Sequence, residues 1–235
     1  MQTVTISLFR FEGLASKLWA FSQMGLARPG LARTPDLQFF KMMGTGAGAG
    51  FSTRPNFSVY TIMCLWPSEE MARQRLADSR VMARYRERAV ETATVFLRPT
   101  SCRGEWDGAP PFEIAPETEQ SLPMVAITRA TLKKRHLRRF WSLVPAISDR
   151  AEGDDQRHFM IGMGEVPWLH QVTFSFWESE EAMKAFSLDS DTHGVAVRRA
   201  YAEGWFSEYM FARFNLLSVE GAWRDIPDTL ISPAA

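Results

Sequence analysis

Apolar and polar positions along the chain predict the order β-α-β-β-α-β twice in succession. In the first half, β-branched and aromatic residues predict strands at 4–11, 37–43, 57–66 and 94–97. Helices are predicted at 14–26, where Leu14, Leu18 and Phe21 recur at helical spacing beside Trp19, and at 68–92. The second half predicts strands at 125–130, 158–163, 169–177 and 205–214, and helices at 135–148 and, with a break, at 179–201. Each half is thus a split βαβ, ferredoxin-like unit.

The two halves share a sequence motif. Residues 58–70 read SVYTIMCLWPSEE and residues 169–181 read LHQVTFSFWESEE, so an apolar strand, a tryptophan and Ser-Glu-Glu recur in the same order. A repeat of this length indicates a duplicated domain rather than a solenoid. Ser68 and Ser179 are expected to cap the helices that follow. The predicted fold class is α+β, with tandem ferredoxin-like repeats forming a dimeric-type α+β barrel within one chain. The predicted division is a first repeat at 1–99, a linker at 100–123, a second repeat at 124–223 and a C-terminal tail at 224–235.

The net charge, the cysteine count and the apolar runs limit the kinds of ligand and the cellular location that we expect. The 235 residues have a formal net charge of zero at pH 7, which removes the whole-molecule electrostatic case for nucleic-acid binding. The two cysteines cannot build a disulfide framework or a cysteine-based zinc site. No signal-peptide pattern opens the chain, and no apolar run approaches the ~20 residues that span a bilayer. We therefore expect a soluble, cytoplasmic protein.

Two motifs have competing interpretations. Gly44 to Gly50 reads GTGAGAG, but a strand follows it where a phosphate-binding motif requires a helix, so a hairpin loop or pocket lid is favoured over nucleotide binding. Residues 133–139 read KKRHLRR on a predicted helix. They are either a solvated helix face or a docking site for an acidic redox partner or an anionic membrane surface.

The four histidines are the candidates for chemistry. His136 lies in the basic cluster, and His158 begins a predicted strand. His170 alternates with Val172, Phe174 and Phe176, so it should point to the apolar face. His193, Val197, Ala200 and Tyr201 share one helical stripe, with Gly194 beside the histidine. That environment suits an axial haem ligand. From the residues alone, His193 could equally be a helix-capping or core histidine.

Hydrolase chemistry finds no support in the pattern. No Ser/His/Asp order, Cys/His nucleophile pair or HExxH motif occurs. The strands are rich in aromatic residues and methionine, which mostly form core and whose excess is compatible with a large apolar pocket.

Several segments resemble the spheroidene monooxygenase family, the carotenoid ketolases of purple phototrophic bacteria. They are VTISLFRFEG, FFKMMGTGAGAGF, LWPSEE, TVFLRPTSCRGEWDG and FSEYMFARF, and they extend from residue 3 to about residue 223. The resemblance implies a haem-dependent monooxygenase that oxygenates an acyclic methoxylated carotenoid of the spheroidene type. It implies dioxygen as oxidant, reduced ferredoxin as electron donor, and a location at or near the intracytoplasmic membrane.

The resemblance also implies site residues. Haem b would be bound in the second repeat through its iron by His193, with Gly194, Val197 and Tyr201 beside it. Arg213, with Arg129 and His170 behind it, would act catalytically by positioning dioxygen or substrate. Cys64 and Cys102 lack the surroundings of a thiolate ligand.

Two alternatives stay open at this point. The same scaffold could carry another haem reaction, such as that of a dehydratase or a peroxidase. It could instead be a cofactor-free barrel that binds a small apolar molecule. Whether chains associate further is also open.

Overall fold

Eight antiparallel strands close into one barrel in the computed structural model, which describes residues 1–48, 52–115, 123–152, 157–188 and 199–231. The strands are β1 (Thr3–Arg10), β2 (Phe39–Gly46), β3 (Pro55–Trp66), β4 (Glu91–Gly104), β5 (Met124–Leu132), β6 (Arg157–Gly164), β7 (His170–Trp177) and β8 (Phe206–Ala222). Their order around the barrel is β1-β3-β2-β6-β7-β5-β8-β4. The predicted fold class, a tandem ferredoxin-like barrel, is confirmed.

Helices cover the outside of both sheets. They are α1 (Leu14–Leu26), α2 (Arg28–Ala32), α3 (Glu69–Asp78), α4 (Arg80–Arg88), α5 (Leu137–Glu152) and α6 (Glu180–Leu188), and residues 199–202 are also helical. Both predicted N-caps are confirmed, because the Ser68 hydroxyl accepts from the Met71 amide at 3.2 Å and that of Ser179 from the Ala182 amide at 3.1 Å. The helix predicted at 68–92 is two helices, since Ser79 adopts an extended conformation and caps α4.

Two seams join the repeats. At the first, β2 pairs with β6, and Gly44 lies opposite Gly164. At the second, β4 pairs with β8 from Thr92–Ala222 to Gly104–Met210. The strand predicted at 94–97 was therefore much too short, because β4 has 14 residues and continues into the segment predicted as linker. The four-part division of the chain stays a prediction.

One apolar core fills the barrel and contains residues of both repeats, among them Ile6 and Val95 from the first and Ile127 and Phe174 from the second. Segments outside the strands contribute to it as well. Trp106 and Phe112, which follow β4, join it, and so do Trp223 and Ile226, which follow β8. The two repeats therefore share a single interior.

A second cluster packs α1 to α4 against the outer face of the first sheet. The helix predicted at 14–26 is confirmed as α1. Its Leu14, Leu18 and Phe21 point to solvent, whereas Ala20 and Gln23 are buried and Trp19 and Met24 pack against the cluster.

Candidate active site

The outer face of the second sheet carries small side chains where the first sheet carries large ones. By strand register, Thr173 corresponds to Ile62, Gly162 to Met42, and Ala130 to Phe9. The three large residues are buried beneath helices, whereas Thr173 and Ala130 are only half-buried. We call this surface the small-residue patch; it consists of Ala126, Thr128, Ala130, Gly162, Thr173 and Ser175. At these positions the second sheet therefore carries smaller side chains than the first.

Aromatic side chains border the patch on two sides. At one side, Trp177 packs against Phe186 of α6 at 5.2 Å between ring centroids. At the other, Tyr201 contacts Tyr209 at 5.1 Å and Phe206 at 5.6 Å, and Phe211 lies beside Thr128 across the β5–β8 ladder. Burial raises the pKa of Tyr201 to about 12, so its phenol remains protonated at neutral pH.

The predicted haem-binding residues are only partly described. His193, Gly194 and Val197 lie outside the described residues. Tyr201 lies in the helical segment 199–202 and joins the aromatic border of the patch. The structure therefore places one of these four residues at the second sheet and leaves the assignment of His193 a prediction.

Arg213 lies on the outer face of β8, the same face as the patch, opposite Ala126 of β5. Its guanidinium forms an ion pair with Glu180 of α6 at 2.5 Å. The pKa of Glu180 is lowered by a hydrogen bond from Lys184 and by the charge of Arg213, which together outweigh the opposing effect of partial burial. Arg213 is thus a cation at the edge of the patch.

Arg129 points the other way, into the barrel. It is 2% exposed, pairs with Glu208 and lies over the Trp106 ring at 5.3 Å. The structure therefore separates Arg129 from Arg213 by the thickness of the sheet.

His170 lies at one end of the barrel beside Glu165. Its side chain follows the interior face of β7, as predicted, and within the described residues its buried Nδ1 has no hydrogen-bond partner. The Glu165 Oε1 atom is 3.6 Å from this nitrogen. Gly164 allows the backbones of β6 and β7 to lie close together at this end of the barrel, because a Cβ there would lie 2.2 Å from the His170 carbonyl oxygen.

A buried charged network surrounds this glutamate, and sequence reasoning missed it. The Lys41 ammonium donates to Glu165 at 2.8 Å and to Asp107 at 2.7 Å, and the Trp106 indole donates to Glu165 at 3.0 Å. Lys41 was visible only as a lone charge inside the apolar run FFKMMG. A lysine inside an apolar strand is expected to have an acidic partner when it is buried. The position of Lys41 in this run was therefore the one sequence feature that could have indicated the network.

A cavity of about 210 Å³ opens on the first seam, over the β2–β6 pair. Aromatic and apolar residues dominate its lining: Phe21, Met24, Phe57, Tyr60, Trp141, Met163 and Trp168. Glu165, His170 and Gln171 also line it. Gln171 and Thr173 are alternate residues of β7 and lie on the same face, so one residue of the cavity wall is next to the small-residue patch on that strand. β2 and β3 pair as an antiparallel hairpin and both contribute to the cavity wall. Of the run 44–50 that was predicted as a hairpin loop or pocket lid, Gly44 to Gly46 belong to β2, and residues 49–50 lie outside the described residues.

Neither cysteine is suited to act as a thiolate ligand. Burial raises the pKa of Cys64 to about 12 and also raises that of Cys102, so both remain protonated at neutral pH. Within the described ranges, no group of three or more His, Cys, Asp or Glu residues could hold a metal ion. No helix in the described part of the chain is long and apolar enough to cross a membrane.

Curated relatives of the chain share one name. The chain is 44% identical over 225 residues to the spheroidene monooxygenase of Rhodobacter capsulatus, covering 95% of this chain and 93% of that protein. It is 42% identical over 224 residues to the spheroidene monooxygenase of Cereibacter sphaeroides, covering 95% and 69%. It is 32% identical over 210 residues to that of Rubrivivax gelatinosus, covering 89% and 80%. No protein-family model matches the chain.

Among solved structures, aldoxime dehydratase in complex with butyraldoxime shares the fold. It superposes with a TM-score of 0.62 at 10% identity, over 92% of this chain and 79% of that chain. At this identity, the likeness supports the fold alone.

Proposed function

The chain belongs to the spheroidene monooxygenase family, and from that premise we propose that it oxygenates an acyclic methoxylated carotenoid of the spheroidene type. The observation that carries the proposal is the identity of 44% to a spheroidene monooxygenase over 95% of the chain. An apolar, aromatic-lined cavity beside a sheet face of small residues is compatible with a polyene substrate.

The cavity is suited to one end of the substrate. Its volume of about 210 Å³ is below the ~300–1,000 Å³ of pockets that enclose a drug-sized ligand. We therefore propose that the methoxy-bearing end enters past Phe21, Phe57 and Trp168 and reaches the small-residue patch, while the rest of the polyene remains outside. The apolar lining would exclude water from the carbon that reacts.

The reaction proposed is hydroxylation beside the methoxy-bearing end. One oxygen atom of dioxygen enters the C–H bond and the other leaves as water, with two electrons and two protons supplied. A second hydroxylation at the same carbon gives a geminal diol, which loses water to give the ketone. Reduced ferredoxin is the proposed electron donor, and the exposed cations Lys134, Arg135 and Arg138 form a surface complementary to an acidic protein.

Haem b is the proposed cofactor, and the described residues are compatible with it. The ring would lie against the small-residue patch, where small side chains stand in place of the large ones of the first sheet and where Trp177 and Tyr201 lie at the border. His193 would hold the iron, and Gly194, Val197 and Tyr201 would lie beside the ring. Bound there, a haem would supply the dioxygen chemistry that protein side chains lack. Arg213, on the same face, would orient a polar group near the ring, and His170 would hold a proton at Nδ1 near the cavity.

Turnover tests the oxygenase assignment. Purified protein is incubated with spheroidene, reduced ferredoxin and isotopically labelled dioxygen, and the carotenoid products are analysed by mass spectrometry. We expect a hydroxylated and then a ketone product that carry the label, with none when ferredoxin or dioxygen is omitted. A dehydratase, a peroxidase or a cofactor-free binding barrel would give no labelled ketone.

The cofactor assignment predicts the effect of changing His193. The purified protein should show a Soret band, and His193→Ala should abolish most of it because the iron loses its axial ligand. His158→Ala, at an exposed position of β6, is the matched control and should retain the band. A full Soret band in the His193 variant would assign the iron to another residue.

A further inference from the structure

Helix α1 presents apolar side chains to solvent along one stripe. Leu14 is 74% exposed, Leu18 is 59% exposed and Phe21 is 56% exposed. They are spaced at i, i+4 and i+7, so they share one face of the helix. The face that meets the sheet carries Trp19, Ala20, Gln23 and Met24. The helix therefore has apolar side chains on both faces, one set packed against the sheet and the other directed towards solvent.

The apolar surface continues beyond the helix. Phe57 of β3 and, in the β6–β7 turn, Val166 and Trp168 are also exposed. Phe21 and Phe57 pack together at 5.8 Å between ring centroids. We call this surface the outer apolar face; it consists of Leu14, Leu18, Phe21, Phe57, Val166 and Trp168. Contiguous exposed apolar surface of this kind marks an interaction site, whereas single exposed apolar residues do not.

Trp168 is held at the surface by backbone contacts. Its indole N–H donates to the Thr53 carbonyl at 3.0 Å, and its own carbonyl accepts from the Trp141 indole at 3.2 Å. Three residues of the outer apolar face, Phe21, Phe57 and Trp168, also line the cavity. The face therefore surrounds the mouth of the proposed substrate cavity.

The charged side chains of α1 and α2 are positive, although the exposed Glu12 precedes α1. Residues 13–35, which include α1 and α2, contain Lys17, Arg28 and Arg33 and no aspartate or glutamate. Arg54 is exposed in the β2–β3 hairpin. The exposed cations of the 133–139 cluster come shortly before Trp141, whose indole contacts Trp168 of the outer apolar face. An apolar face bordered by cations and aromatic rings is the signature of a helix that lies in the interface of an anionic bilayer.

We propose that the outer apolar face docks on an anionic lipid bilayer and turns the cavity mouth towards the acyl chains. The apolar side chains would enter the boundary between headgroups and acyl chains, and Lys17, Arg28 and Arg54 would meet lipid phosphates. This inference deepens the proposed function, because a polyene dissolved in the membrane could then pass into the cavity without crossing water.

Vesicle flotation tests the docking without turnover, so its outcome is independent of the oxygenase assignment. The probes are vesicles of phosphatidylcholine alone and vesicles in which a third of the lipid is phosphatidylglycerol. We expect the full-length protein to float with the anionic vesicles and much less with the neutral ones. The double variant Leu18→Ser/Phe21→Ser should lower the partition coefficient for anionic vesicles by about tenfold, because it removes two apolar side chains from the bound face.

Ile114→Ser is the matched control, because Ile114 is exposed but lies outside the outer apolar face. It should bind as the unchanged protein does, and all variants should keep the same circular dichroism spectrum because the substituted side chains are exposed. Equal binding by the double variant, or no binding by the unchanged protein, would overturn the proposal. Sedimentation that shows a dimer broken by the double variant, without vesicle binding, would assign the face to a second copy of the chain and would also overturn it.

Discussion

The Arg129–Glu208 pair illustrates what a single residue adds to this fold. Arg129 is buried inside the barrel, where an unpaired cation would be strongly unfavourable. Burial acts to raise the pKa of Glu208, but the Gly108 amide at 2.7 Å and the Arg129 guanidinium outweigh it and lower that pKa below its usual value. Glu208 therefore stays ionised and neutralises the buried arginine.

We expect Glu208→Gln to lower the free energy of unfolding at pH 7 by about 3 kcal/mol, because it leaves Arg129 buried without a counter-ion. The pH dependence should change as well. A carboxylate with a depressed folded-state pKa stabilises the protein above its unfolded pKa of about 4.5 and loses this effect as the pH falls through the folded pKa. Urea unfolding between pH 7 and pH 3 should therefore show a shallower loss of stability in the variant.

Glu69→Gln provides the control for this prediction. It removes one partner of an exposed i,i+4 pair with Arg73. The loss should be under about 1 kcal/mol, as for exposed ion pairs in general. If both variants lost the same small amount, Arg129 would have to be neutralised by another group.

Strand alternation predicts which way a side chain points, but it does not predict its partner. His170 was predicted to point inward because it alternates along β7 with Val172 and Phe174. Arg129 alternates in the same way along β5 with Val125 and Ile127. The partners of Lys41 could not be predicted in the same way. Glu165 lies 124 residues away along the chain and reaches Lys41 only because β2 and β6 pair across the seam. The catalytic roles of Arg129, Arg213 and His170 stay predictions.

At the scale of elements, the sequence predicted the helix caps and several strands closely, but it underestimated the lengths of β4 and β8. The bounds of β1, β3 and β7 lie close to those predicted, because buried strands carry β-branched and aromatic runs. Helix α1 has the predicted bounds, but its spacing did not show which of its apolar residues are buried. Trp19 and Met24 pack against the sheet, whereas Leu14, Leu18 and Phe21 face solvent. Periodicity shows that a helix has two faces, and only the surroundings decide which one is buried.

The small-residue patch leads to a prediction about one substitution. Thr173→Ile gives the second sheet the residue that the first sheet carries at Ile62. The larger side chain should reduce the haem content of the purified protein several-fold, because it occupies the space proposed for the ring. The thermal midpoint of unfolding should stay the same or rise, since a half-buried apolar side chain is added. Absorbance in the Soret region and calorimetry measure the two effects.

Thr173→Ser keeps the space open and should retain the haem content of the unchanged protein. A Thr173→Ile protein with full haem content would place the cofactor away from this face of the second sheet.

At the scale of the whole molecule, the sequence duplication explains the barrel. Which strands pair between the two repeats could be read only from the structure. The sequence repeat predicted two ferredoxin-like sheets and their packing, and the closed barrel confirms this. The edges that meet are β2 with β6 and β4 with β8, and the second of these seams is formed by two long strands whose lengths the sequence pattern underestimated. Because the barrel closes across both seams, each repeat contributes half of the wall around one core.

A shared core predicts that the chain unfolds as one unit. Ile6 in the first repeat and Ile127 in the second are both 0% exposed and belong to the same cluster. Calorimetry should show a single transition, and Ile6→Ala or Ile127→Ala should each lower the free energy of unfolding by about 3 kcal/mol. For a chain of this size that corresponds to a shift in the midpoint of roughly 6–12 °C.

The two isoleucine variants should move the same transition, because removing a side chain from either repeat leaves a cavity in the interior that both repeats enclose. Leu14→Ala is the matched control, since it shortens an exposed side chain of α1 and should leave the midpoint nearly unchanged. Two transitions, each lowered by only one of the isoleucine variants, would show that the repeats unfold independently. In that case the seams at β2–β6 and β4–β8 would be contacts between two autonomous domains.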